Sequence, residues 1–148
     1  MTLCDYFSAV DDEAAVAVLH SPGGPGRAEF DVFPLRNIDP VVAMAQLEAV
    51  MTGCSHEEAA ERPRSGELLS SPQDGPPFVV SLSDTLSDAL ATAADDDLVR
   101  FAEPWSRTDE LQQMGIGVEV TADVLRGLAG LARRAQASGR RLYCWWAL

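Results

Sequence analysis

The stretch TADVLRGLAGLARRAQASGRRLYCWWAL, residues 121–148, decides how this chain folds. Its first part has a helical period: Val124, Leu125, Leu128, Leu131, Ala132 and Ala135 form one broad apolar stripe, while Arg126, Arg133, Gln136 and Arg140 fall elsewhere. That spacing predicts a helix over 121–138 lying on a sheet, with Gly139 as its stop. The pattern then changes to period two, with Leu142, Cys144, Trp146 and Leu148 on one side and Tyr143, Trp145 and Ala147 on the other. Both sides are apolar, so the strand needs cover on each. A central strand meets that need better than an edge strand whose second face serves as an interaction site.

Working outward, residues 3–9 suit a strand with Leu3, Asp5 and Phe7 on one face and Cys4, Tyr6 and Ser8 on the other. Asp11, Asp12 and Glu13 then open a helix, because carboxylates complement the unpaired N–H groups and positive dipole of a first turn. Pro22-Gly23-Gly24-Pro25-Gly26 forbids its continuation and predicts a flexible connector. After the apolar residues 30–35, Asp39 can cap a helix with Pro40 at its first position. Val41, Met44, Ala45, Leu47 and Met51 give that helix an apolar face as far as Thr52, where Gly53 stops it. Ser55 and Glu58 form a capping box for a short helix that Pro63 ends. Residues 62–77 lack periodicity and predict a long loop.

Residues 78–82 form a second buried strand leading into Ser83-Asp84-Thr85, a helix start followed by Leu86, Leu90 and Ala93 at helical spacing. Asp95, Asp96 and Asp97 open the next helix, which Pro104 is expected to break. Thr108 is expected to cap residues 109–114, and Gly115 and Gly117 to turn the chain before Val118-Glu119-Val120. The sum is one α+β domain over residues 1–148. Its small mixed sheet draws on segments near 3–9, 78–82 and 142–148, covered by several helices, chiefly those near 40–52 and 121–138.

Length and composition permit such a core: the chain has 148 residues, 47% of them hydrophobic and 23% charged. Twenty-three acidic residues face eleven basic ones, all arginine, for a formal net charge of −12. A mean field of that sign disfavours nucleic acid and suits a basic protein partner. Cys4, Cys54 and Cys144 have neither an even count nor CxxC spacing, which argues against a disulfide framework and a zinc site. The interrupted N-terminus resembles no signal peptide and no run reaches membrane-spanning length, so a cytoplasmic location without membrane association is expected.

Catalytic signatures are sparse. The two acidic triplets are explained as helix starts, and the Pro-Gly loop lacks the Lys-Ser/Thr ending of a phosphate cradle. Arg133, Arg134, Arg140 and Arg141 complement the C-terminal end of a helix without needing an anion. His20 and His56 fall in surface segments, and Cys54-Ser55-His56 is the one cluster with nucleophilic residue types, although consecutive residues point apart. No catalytic residue, metal site or cofactor is assigned.

The opening Met1-Thr2-Leu3-Cys4-Asp5-Tyr6-Phe7 with Asp11 and Glu13 resembles the start of the YfbM-like family of small bacterial proteins. Ile38-Asp39 before a helix ending at Thr52-Gly53, the strand-to-helix passage from Val80 to Leu90, Trp105, and Gly139 between a long helix and a hydrophobic strand are similar to that family in order. The chain lacks the aromatic residue that usually follows the Ile-Asp pair. The resemblance implies a compact α+β fold and carries no activity with it. Two functional readings follow. One is a protein-binding module, immunity-like or regulatory, whose acidic surface meets a basic partner with Trp105 or Trp145 as exposed anchors. The other is an enzyme or small-molecule-binding protein with a cleft near Tyr6, Asp39, Trp105 and Arg107.

Overall fold

A computed structural model describes residues 2–26 and 30–148, so Met1 of the opening motif lies outside the described residues. Five strands, β1 (Leu3–Ala9), β2 (Val32–Arg36), β3 (Glu67–Leu68), β4 (Phe78–Ser81) and β5 (Arg141–Ala147), form one sheet in the order β2-β1-β5-β4-β3. Every pairing is antiparallel, which corrects the expectation of a mixed sheet. The C-terminal strand is central, with Cys144 opposite Tyr6 on one side and Val80 on the other.

Among the described residues seven helices accompany the sheet: α1 (Asp12–Val16), α2 (Val42–Thr52), α3 (His56–Glu61), α4 (Asp84–Thr92), α5 (Asp95–Ser106), α6 (Asp109–Gln112) and α7 (Val118–Ala137). A 3-10 turn, Ala17–His20, extends α1. Local capping sets most of the boundaries. Asp11, Ser55 and Ser83 accept hydrogen bonds from the backbones of Ala14, Glu58 and Leu86, and the Asp39 carboxylate accepts from Val41, Val42 and Ala43. Gly53 takes the left-handed conformation that ends α2.

The two sheet faces bury different cores. Cys4, Tyr6, Leu142 and Cys144 point into a large cluster with Met44 and Leu47 of α2, Leu86 and Leu90 of α4, Leu98 and Trp105 of α5, and the α7 stripe. Phe7, Ala9, Val79, Tyr143 and Trp145 form a smaller cluster with Ala15 and Val18, flanked by partly buried residues such as Phe30 and Leu69. On the helix side, α7 passes so close to β2 that a Cβ on Gly127 would lie 2.1 Å from the Phe33 ring. On the other side the Pro-Gly loop is more than a connector: Gly24 and Pro25 are buried, and Gly24 at φ +84° leaves no room for a Cβ, which would sit 2.6 Å from the Trp145 ring.

Three other expectations change. Pro104 does not break α5, which continues to Ser106 although the proline gives up one backbone hydrogen bond, because Trp105 in the same turn is fully buried and donates Nε1 to the Ala43 carbonyl. The last helix starts at Val118, where the Gly117 carbonyl accepts from both the backbone N–H and the hydroxyl of Thr121. Residues 62–77 include β3 and a 3-10 turn, Pro72–Asp74, so this segment extends the sheet as well as connecting it.

Candidate functional site

The thinner face carries an open groove. Of about 580 Å³, it runs beside α1, lined by Asp12, Glu13, Val16, Ala17, His20 and Leu69. Asp12 stands in the first turn of α1, which Asp11 caps, and its side chain meets Tyr143 of the central strand. Arg64 reaches it from the turn after α3, with Nη1 and Nη2 donating to the two carboxylate oxygens at 3.1 and 2.8 Å. Tyr143 of β5 donates its hydroxyl to the same carboxylate at 2.7 Å. These three residues come from segments far apart in the chain and meet only through the fold.

Arg64 is held in an unusual backbone conformation, φ +69°, that non-glycine residues seldom adopt. Its carbonyl accepts from the Ser81 hydroxyl at 2.7 Å, and its N–H donates to Glu67 at 3.2 Å. The guanidinium lies 5.7 Å from the centre of the Tyr143 ring, with Nε 4.0 Å from Asp84, which Arg141 approaches at 3.5 Å. The hydrogen bonds from Arg64 and, to a lesser extent, from the Tyr143 hydroxyl hold the Asp12 carboxyl below the usual aspartate range. Burial, reinforced by the neighbouring Asp12 carboxylate, pushes the Tyr143 phenol up. Around neutral pH the groove therefore has an ionised carboxylate in its lining, braced by a neutral phenol and a guanidinium. Glu13 stands at the rim, exposed and without an ion-pair partner among the described residues.

The residues expected to line a cleft are arranged otherwise. Tyr6, Asp39 and Trp105 do converge on the start of α2, but as packing: the Tyr6 hydroxyl donates to the Ile38 carbonyl at 2.5 Å, Asp39 caps the helix, and Trp105 Nε1 donates to the Ala43 carbonyl at 3.1 Å. Tyr6 and Trp105 are fully buried. Arg107 takes no part, being exposed and paired with Glu103 at 2.5 Å on its own helix. Nor are the tryptophans surface anchors. Trp105 has no exposed area and Trp145 only 7%, since α2 covers the first and the Gly24 loop the second.

Other sequence candidates also have structural partners. Ser55 spends its hydroxyl on the α3 cap, while the Cys54 sulfur lies 3.3 Å from the Thr52 hydroxyl. Arg133 donates to the Ala93 and Ala91 carbonyls beyond and within the end of α4, Arg134 forks onto Asp31 at 2.6 and 3.2 Å, and Arg141 faces Asp84, so the arginines do not converge on one anion. Among the described residues no three His, Cys, Asp or Glu side chains gather as a metal-ligand set.

Sequence reasoning missed two features. Glu48 on α2 is 1% exposed and accepts from Arg62 Nη1 at 2.5 Å, from Thr85 at 2.7 Å and from Ser83, tying α2 to the starts of neighbouring segments. Its signal was a carboxylate four residues after Met44 on an apolar helix face. The Asp12–Arg64–Tyr143 cluster left no comparable local signal. No helix among the described residues is long and apolar enough to cross a membrane. Comparisons with protein-family models, curated proteins and solved structures found no significant match.

Proposed function

We propose that this chain is a binding module for a basic protein partner, immunity-like or regulatory in role, whose α1 groove receives one of the partner's arginine or lysine side chains. The observation that carries this reading is the groove itself, where the Glu13 carboxylate, unpaired among the described residues, stands beside Asp12, which Arg64 and Tyr143 already hold, and beside His20 and apolar Val16, Ala17 and Leu69. A long basic side chain has the matching form: a charged head for the carboxylates and a methylene stem for the apolar wall. The net charge of −12 steers such a partner over longer distances.

Isothermal titration of a short arginine-rich peptide tests the proposal. Saturable binding should weaken steeply with ionic strength, and Glu13→Gln should weaken it by roughly two- to fivefold, the worth of one exposed ion pair. Binding that ignores both salt and the Glu13 substitution would reject the groove as the receptor.

A further inference from the structure

A second surface departs from the usual burial of apolar residues. Among the described residues, seven large hydrophobic side chains are exposed, and two of them, Val99 and Val118, meet where α5 approaches the start of α7. Val99, Val118 and Ala122 line a groove of about 370 Å³ there, together with Glu119, Asp123 and Arg126. The arrangement follows from helical spacing. Val118 precedes Ala122 and Leu125 by four and seven residues and so continues the buried stripe of α7, but the cover runs out before it. Arg126 is neutralised in place by Asp95 at 3.0 Å and Asp123 at 2.9 Å. Glu119 has no ion-pair partner among the described residues and leaves the lining negative.

We infer that this groove docks a basic amphipathic helix of the partner. The inference rests on the basic-partner reading above and adds the form that the partner takes. Charge complementarity selects the occupant: a second copy would bring another −12, and nucleic acid or an anionic membrane would be repelled likewise. The sheet edges are poor alternatives, since β2 carries Pro34 within the strand and β3 is two residues long. A helix laid in the groove places one or two large apolar side chains between the valines and basic residues over Glu119.

The test uses a synthetic helical peptide with leucines on one face flanked by arginines, and a scrambled isomer of equal charge, measured by fluorescence polarisation against the full chain. The helical peptide should bind about tenfold tighter than its isomer, since one buried aliphatic side chain supplies at least that factor. The double substitution Val99→Ser with Val118→Ser should remove the difference, Glu119→Arg should weaken both peptides, and Glu13→Gln should leave the preference intact. Equal binding of the two peptides, or a preference that survives both the serine pair and Glu119→Arg, would overturn the inference. If Glu13→Gln alone weakens binding, the docking helix fails while the basic-partner reading stands. If neither peptide binds at low ionic strength, both fail.

Discussion

One face of the sheet is sealed by long helices and a continuous aliphatic core; the other is covered by a single-turn helix, a 3-10 turn and a glycine loop. The contrast separates two tasks. On the helix side polar groups are consumed by structure: Trp105 on Ala43, Tyr6 on Ile38, and Glu48 on Arg62, Ser83 and Thr85. On the thin side Asp12, Arg64 and Tyr143 are also satisfied, yet they sit beside an open groove where a carboxylate meets solvent.

Truncation on the sealed face should cost most. Trp105→Ala removes a fully buried ring and its hydrogen bond and should destabilise the chain by about 3–5 kcal/mol in chemical denaturation. The thin face should tolerate less filling than its slight cover suggests. Gly24→Ala drives a Cβ into the Trp145 ring at a positive φ and should cost roughly 1–3 kcal/mol. A neutral Gly24→Ala would mean that the loop does not rest on Trp145. Smaller still, Tyr143→Phe loses one hydrogen bond to a carboxylate that solvent also reaches, and should cost roughly 0.5–1.5 kcal/mol.

The same cluster sets the pH response. Asp12 is held low by Arg64 and Tyr143, so its contribution is present above the ordinary aspartate pKa, about 3.9, and is lost as pH falls through its lower folded value. Tyr143 is raised, so its contribution is complete below the ordinary phenol pKa of about 10 and declines as pH climbs past it toward the folded value. Tyr6 is raised by burial as well, and the chain has only these two tyrosines. Ultraviolet titration should therefore detect no phenolate near the ordinary tyrosine pKa while the chain stays folded. A phenolate appearing there with the circular dichroism intact would show that one hydroxyl is free.

How much of this was legible in the sequence depends on the distance between cause and effect. The caps at Asp11, Ser55 and Ser83, the stop at Gly53, and the doubly covered β5 rest on neighbouring residues or a short period, and the structure matches them. β2 and β3 were obscured, one by Pro34 and the other by having only two residues. Trp105 follows Leu98 and Ala102 at helical spacing, but Pro104 hid that run. Trp145 is enclosed by Gly24, and Asp12 by Arg64 and Tyr143, through contacts that only the finished sheet brings together. The candidate site was therefore the least legible part.

Amide chemical-shift mapping with a short arginine-rich peptide lacking an apolar face tests the division between faces most directly. The account predicts the largest shifts at residues 12–20 and at Leu69, collapsing on addition of salt, with the amides of α2 and α4 undisturbed. Shifts spread evenly over the acidic surface, or centred on the helix-covered face, would contradict it.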